Sequence, residues 1–158
     1  MNEVGEIQAV TFGLGAEVFA VPVAFVKEIL DYRETFHIPG GPDYLLGLTD
    51  LRGQGVSTID FRLRLGLPRA DATSATRILV IEVPLADRVL LLGLVVDRVI
   101  EVSSFRSDEI DGAPDIGADW PSGYIAGVVR RQEGFVVIVD VKAIFTEESA
   151  PALVAAAA

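Results

Sequence analysis

The stretch YLLGLTDLRGQGVSTID (residues 44–60) decides the fold, because it occurs a second time as YIAGVVRRQEGFVVIVD (residues 124–140). The two copies align without a gap, 80 positions apart, and matching Tyr, Gly, Val and Asp residues fix the register. An earlier pair, VAFVKEI (23–29) and VDRVIEV (96–102), repeats 73 positions apart. Two units of about sixty residues, rich in short Val, Ile and Leu runs, are typical of a duplicated small β-barrel.

The two offsets differ by seven residues, and these extra residues fall in one segment of the second copy. Residues 103–122 are polar and contain two glycines and two prolines, so we predict a loop there. We predict one domain over 1–158, with a first barrel at 10–68 and a second barrel at 76–145. The small polar residues at 69–75 would connect them. The Ala-rich tail, 146–158, is short and uncapped enough to fray.

Most of the chain between these segments is predicted to form strands. Residues 26–30 have helical spacing, but their copy at 99–102 is β-branched, so we favour a strand in both. A single helical turn is expected at 43–46, and a short helix at 62–65 ended by Gly66. The other predicted strands are 9–14 and 18–21 around a turn at 15–17, 47–51 and 55–61 around a turn at 53–55, then 78–83, 89–96 and 135–141.

Composition excludes several classes of function. The chain has 158 residues, of which 51% are hydrophobic, and this is ample for a buried core. Its 13 basic and 23 acidic residues give a net charge of −10, which would repel nucleic acid. No apolar run approaches the roughly 20 residues that a membrane-spanning helix needs. The acidic N-terminus is unlike a secretory signal, and the absence of Cys agrees with a reducing compartment. We therefore expect a cytoplasmic protein.

Catalytic and metal chemistry have little support in the sequence. The single His, His37, lies in a Pro/Gly connector without a nucleophile in view. The acidic residues at 108–119 do not follow the spacing of a calcium-binding loop, so a solvated loop is the better interpretation. We predict no catalytic residue, no metal and no cofactor.

One charged residue stands out from its surroundings. Arg52 lies in GLTDLRG (47–53), among apolar strand residues and glycines, and the corresponding residue of the second copy is Gln132. Arg52 could simply be exposed. The alternative is that it pairs with Glu28, which also stands among apolar residues. Such a pair near a surface adds little stability, so its use would be to orient a binding surface.

At this point the chain resembles a known family, the chemotaxis coupling proteins (CheW), over about residues 10–145. The resemblance rests on the order and spacing of FGLGAEVFAVP (12–22), VKEIL (26–30), IP (38–39), YLLG (44–47), LRG (51–53), ID (59–60), GLVVDRV (93–99) and YIAG (124–127). It implies an all-β fold of two tandem SH3-like five-stranded β-barrels packed over a shared apolar core, with short helical turns. It also implies a non-catalytic function.

The function that the resemblance implies is to couple chemoreceptor cytoplasmic tips to a CheA-type histidine kinase. The kinase would be bound through its regulatory domain, which has the same fold as the family. The protein would be recruited to receptor arrays at the inner membrane without inserting into it. The residues that match the family's receptor-binding positions are Val26, Glu28, Gly47 and Arg52. Weaker matches to its kinase-binding face are Ile38, Pro39, Leu51 and Val56. Val26, Gly47 and all four kinase-face residues could instead be structural.

Two alternatives remain at this stage. The chain could be the adaptor of a pilus or other non-flagellar chemosensory pathway, which neighbouring genes would distinguish. It could also be a small-molecule-binding barrel, which would need a pocket with convergent polar groups. Asp50, Ser57 and Thr58 depart from the family motifs, and they leave open which receptor and kinase are served.

Overall fold

The computed structural model describes residues 5–112, 122–132 and 134–145, and these residues are mainly β-structure. Short helical elements follow two of the strands, and 3₁₀ turns at Val23–Phe25, Ser107–Glu109 and Ser122–Tyr124 join others. In chain order the strands and helices are β1 Glu6–Leu14, β2 Glu17–Pro22, β3 Val26–Asp31, β4 Leu45–Leu51, β5 Gln54–Asp60, α1 Phe61–Arg64, β6 Arg77–Pro84, β7 Val89–Val96, β8 Arg98–Arg106, β9 Ile110–Asp111, β10 Ile125–Arg131, β11 Gly134–Val139 and α2 Val141–Ile144.

The strands form two sheets, and each sheet draws on both halves of the chain. The first barrel has the order β3-β6-β7-β5-β4, and the second barrel has the order β8-β1-β2-β11-β10-β9. The predicted barrel boundaries, 10–68 and 76–145, are therefore wrong in detail. Each N-terminal hairpin, β1–β2 or β6–β7, lies in the barrel of the other repeat. The expected pair of small barrels is confirmed, the second with the two-residue β9 as a sixth strand.

The connections at this exchange do not reverse the chain. Only Val23–Phe25 separates β2 from β3, and only Asp97 separates β7 from β8. Neither connection has a residue with positive φ, unlike the hairpin turns at Gly15 and at Arg52–Gly53, so the chain continues into the other sheet. The exchange is the same in both halves. In the parallel pairs, Ser57 lies opposite Leu92 and Val137 lies opposite Phe19, which reproduces the offsets of 80 and 73.

The largest buried cluster lies between the two barrels and takes residues from both sheets. Phe12 and Phe61 are at its centre, with ring centroids 5.9 Å apart, and Phe61 also packs on Phe145 at 6.4 Å. Two smaller apolar clusters fill the interiors of the separate barrels. Burial of this apolar surface is the main stabilising contribution to such a fold. The shared apolar core expected from the sequence is confirmed.

Several local expectations can be compared directly with the structure. Strands at 26–31 and 98–106 and the short helix at 61–64 are as predicted, apart from shifts of a residue or more at their ends. The helical turn expected at 43–46 is wrong, because β4 already begins at Leu45. The predicted loop at 103–122 is wrong at its start, where β8 continues to Arg106. Its residues 113–121, like the tail 146–158, lie outside the described residues.

Candidate functional site

The turn between β4 and β5 holds Arg52 in an unusual backbone conformation. Leu51 pairs with Gln54, so Arg52 and Gly53 form a two-residue turn, with φ of 51° and 84°. Positive φ at both positions suits the right-handed twist of a hairpin, but it is uncommon for Arg. The Asp50 carboxylate accepts a hydrogen bond of 2.8 Å from the Gly53 N–H and so supports the turn. The turn lies one residue earlier than predicted.

Arg52 forms the predicted pair with Glu28. Its Nη2 lies 2.6 Å from Oε2 of the glutamate and its Nη1 lies 3.3 Å from Oε1, which is a bidentate arrangement. The hydrogen bond from Arg52 lowers the pKa of the Glu28 carboxyl below its ordinary value of 4.5, and the pKa of Arg52 is raised in return. Because Glu28 is on β3 and Arg52 follows β4, the pair joins the two edge strands of the first barrel.

The pair is open to solvent on one side. The Arg52 side chain is 69% exposed, whereas that of Glu28 is 25% exposed. The carboxylate is thus held by the barrel and the guanidinium faces outward. A guanidinium that uses two N–H groups on a carboxylate still has further donors for a docked chain. The arrangement can therefore bind a protein surface but has no group placed for catalysis.

The other two receptor-side candidates have a structural role. Val26 is half-buried and packs against the central core. Gly47 is buried, with φ of 142°, and a Cβ there would overlap the backbone carbonyl oxygen of Phe36. Phe36 and Leu48 exchange hydrogen bonds of 2.8 and 2.9 Å beside it. Gly47 therefore allows the connector to pair with β4.

The four kinase-side candidates divide into two groups. Ile38 is half-buried and Pro39 is exposed, both on the connector before β4. Leu51 and Val56 are buried in the interior of the first barrel with Ile78 and Val80. Leu51 and Val56 are thus inaccessible to a partner, whereas Pro39 is exposed and Ile38 is partly so.

The repeated Tyr and Asp residues are structural. The carbonyl of Tyr44 accepts a hydrogen bond from the Asp60 N–H, and that of Tyr124 accepts one from the Asp140 N–H, at 2.8 and 2.9 Å. Each Asp side chain then caps a helix, α1 or α2. A side-chain oxygen at this position satisfies a free N–H of the first helical turn. The repeat thus marks where each barrel strand passes into its helix.

A second ion pair, which the sequence analysis did not identify, links α1 to the junction of β7 and β8. Arg62 donates from Nε and Nη2 to the two carboxylate oxygens of Asp97, at 2.8 and 2.7 Å. The Gly15 N–H donates to the same carboxylate at 2.6 Å. These bonds, chiefly those from Arg62, lower the pKa of Asp97 below its ordinary value of 3.8. The only sequence signal was Asp97 itself, a charge inside GLVVDRV.

Arg64 occupies a position between the two repeats. Its guanidinium lies 5.3 Å from the ring centre of Tyr44 and 4.9 Å from that of Tyr124, which are equivalent residues of the two copies. One Nη donates to the carbonyl of Ile144, the residue that corresponds to Arg64 itself in the second copy. Cation–π contacts of this kind favour Arg over an apolar residue. Arg64 therefore joins the two halves at their centre.

The described residues contain no cluster of three or more potential metal ligands. Two residues of the predicted acidic loop form ion pairs instead, Asp108 with Arg106 and Glu109 with Arg131. Asp115 and Asp119 lie outside the described part of the chain. Among the described helices, none is long and apolar enough to cross a membrane.

The comparisons with known proteins agree with this class of paired SH3-like barrels. The solved structure of scaffolding protein TtCheW from Thermoanaerobacter tengcongensis superposes with a TM-score of 0.79, at 22% identity, over 92% of this chain and 96% of that one. A family model described as a CheW-like domain matches residues 8–149. The chain therefore belongs to the CheW-like domain family.

Curated relatives cover nearly the whole chain. The chemotaxis protein CheW of Bacillus subtilis is 30% identical over 145 residues, which are 92% of this chain and 90% of that protein. The probable chemotaxis protein CheW of Rhizobium etli is 28% identical over 148 residues, with 94% and 93% coverage. These relatives support the role of a chemotaxis adaptor.

Proposed function

We propose that the protein is a non-catalytic adaptor that couples chemoreceptor cytoplasmic tips to the regulatory domain of a CheA-type histidine kinase. It acts in the cytoplasm, at receptor arrays on the inner membrane. The observation that carries the proposal is the exposed, bidentate Glu28–Arg52 pair on a CheW-like fold. Such a pair contributes little to folding, so it is available for recognition.

The receptor-binding surface is centred on Arg52. Glu28 fixes the guanidinium while its remaining donors face solvent. Val26 and Gly47 shape the strands beneath it. A receptor tip is a helical hairpin, and an amphipathic helix docks by placing its apolar face in a groove. Arg52 provides the polar contact at the edge of that groove.

The kinase-binding surface is centred on the connector before β4. Ile38 and Pro39 are its accessible residues, and the buried Leu51 and Val56 support the barrel behind them. A kinase regulatory domain of the same fold would present a barrel of similar shape. Each contact is of modest affinity, and multivalency in the array raises the overall affinity.

The test is a double-mutant cycle on receptor-stimulated kinase activity, reconstituted with receptor and kinase from the same genome. Glu28→Ala and Arg52→Ala should each reduce stimulation by about tenfold, and the double variant should be no worse than either. Arg52→Lys should be impaired as well, because an ammonium cannot reproduce the planar bidentate contact. Melting curves of each variant separate a loss of docking from a loss of folding.

Asp87 and Arg88 provide a matched control pair. They form a similar exposed bidentate pair, with distances of 3.2 Å, before β7. Arg88→Ala should leave stimulation within about twofold, and so should His37→Ala on the connector. Additive effects of the Glu28 and Arg52 variants would remove the pairing claim. Stimulation that is unchanged in all of these variants would contradict the proposed function.

A further inference from the structure

The second barrel has an open groove at the position where the first barrel carries the Glu28–Arg52 pair. Glu101 corresponds to Glu28 in the offset of 73, and Gln132 corresponds to Arg52 in the offset of 80. Each of the two strands also has a β-bulge at the equivalent position. Lys27 is the extra, unpaired residue of β3, and Ile100 is the extra, unpaired residue of β8. The two sites are thus the same place in two copies of one barrel.

This open second-barrel groove has a volume of about 670 Å³. Both Glu101 and Gln132 line it, together with Thr11, Arg131 and Phe135. The groove is open because smaller or outward-facing residues replace those that fill the first barrel. At equivalent positions, the first barrel has Ile78, Val80, Leu51 and Arg52, whereas the second barrel has Ala9, Thr11, Arg131 and Gln132 in the same order.

The charge in the groove is unbalanced. The Glu101 carboxylate accepts a hydrogen bond of 3.2 Å from Ser103, and among the described residues it forms no ion pair. Glu17 adds a second carboxylate to the lining. The basic residue of the groove, Arg131, is already paired with Glu109 and stacks on Phe105 at 4.7 Å. The first barrel satisfies the equivalent glutamate with an arginine from its own chain, and the second barrel does not.

We propose that the second-barrel groove docks an arginine from a protein partner, carried on a segment with apolar neighbouring residues. The guanidinium of that arginine binds Glu101 as Arg52 binds Glu28. The apolar neighbours pack on Ile100 and Phe135, which are 46% and 53% exposed and flank the cavity. This surface is separate from those of the proposed adaptor function and does not depend on them.

The test is an NMR titration of the full chain with defined peptides. The probe is acetyl-Val-Arg-Val-amide, and its matched control carries citrulline, which has the same shape but no charge. The arginine peptide should shift the amide signals of Glu101, Gln132 and Phe135, and the citrulline peptide should bind about tenfold more weakly. Acetyl-Gly-Arg-Gly-amide should bind at least about threefold more weakly, because it lacks the apolar contacts.

Two variants assign the effect to the groove. Glu101→Gln should weaken binding by about tenfold, whereas Glu28→Gln should leave it within about twofold. Gln132→Arg should also weaken binding, because the new side chain would occupy the groove and pair with Glu101. Equal binding of the arginine and citrulline peptides, no binding of either, or no effect of Glu101→Gln would overturn the proposal. Equal binding of the Gly-flanked peptide would overturn the claim that a protein segment is recognised.

Discussion

The two barrels have the same backbone plan but differ where each barrel closes. In the first barrel Glu28 and Arg52 bridge the edge strands, and aliphatic side chains fill the space beneath them. In the second barrel the equivalent Glu101 forms no ion pair within the described part of the chain, and the space is an open groove. The two copies thus share the order of their five equivalent strands, while the residues that bridge and fill the edges of the barrels differ.

The comparison of the two barrels distinguishes the repeated residues that are structural from those that are not. Asp60 and Asp140 stand in both copies because the side chain of each caps a helix, accepting a hydrogen bond from the backbone N–H three residues on. Any copy with this backbone needs those bonds. Arg52 has no such role in the second copy, where Gln132 stands instead. A residue kept in only one copy is the better candidate for binding.

The largest expected effect concerns the glycines at the start of β4 and β10. Gly47→Ala should lower the free energy of unfolding by about 3 kcal/mol or more, since its φ is 142° and the new Cβ would overlap the Phe36 carbonyl. Urea denaturation measures this loss.

The equivalent Gly127 provides the comparison. A Cβ there would overlap the Cγ2 methyl of Ile110 and would lie 3.1 Å from the Asp111 carbonyl oxygen. A side chain can move more easily than backbone, so Gly127→Ala should cost only about 1 to 2 kcal/mol. Equal losses of unfolding free energy in the two variants would contradict the difference in packing that the structure shows around the two glycines.

The next effect concerns the charge pair beside α1. Asp97→Asn should lower the free energy of unfolding by about 2 kcal/mol at pH 7, because it removes a carboxylate that accepts bonds from Arg62 and Gly15. The pKa of Asp97 is lowered by folding, so its contribution is present above its ordinary value of 3.8 and is lost as pH falls through the lower, folded value.

The difference between wild type and Asp97→Asn should therefore shrink below about pH 3.8. Denaturation at a series of pH values measures it. In the second copy the residue that corresponds to Arg62 is Lys142, which lies 6.0 Å from the ring of Phe25. Lys142→Ala should cost less than about 1 kcal/mol. If the loss of stability in Asp97→Asn is as large at low pH as at pH 7, the charged form of Asp97 is not its source.

The sequence predicts the barrel class and most strands, because each depends on local pattern or on the repeat. The Glu28–Arg52 pair was predicted on another ground, since both charges stand among apolar residues. The strand exchange could not be predicted. A hairpin such as β1–β2 has the same alternating pattern whichever sheet it joins, so the repeat gives the register but not the partner. What decides the partner is whether the connection reverses the chain, and the connections after β2 and β7 lack the positive φ values of the hairpin turns.

The Arg62–Asp97 pair was missed for a different reason. Its residues are 35 positions apart, and the repeat does not keep the pair, because Arg62 corresponds to Lys142 but Asp97 corresponds to Ala24. Nothing in a single sequence joins two such residues until the fold brings them together. Gly47 was predicted on the receptor surface because it matches a receptor-binding position of the family, and the repeat with Gly127 does not reveal which backbone each glycine meets.

The smallest expected effect on stability is at Arg52 itself, and it separates a binding role from a structural one. Arg52→Ala should change Tm by no more than about 2 °C, because water can replace the guanidinium at this exposed carboxylate. Arg52→Gly should be at least as stable as Arg52→Ala, since glycine accepts the φ of 51° without strain. Both variants should lose receptor coupling alike. If Arg52→Ala instead lowers Tm by more than about 5 °C, the Glu28–Arg52 pair stabilises the first barrel and its role is structural. The absence of the pair from the second barrel would then be a difference in how the two barrels are stabilised, not in which partner they bind.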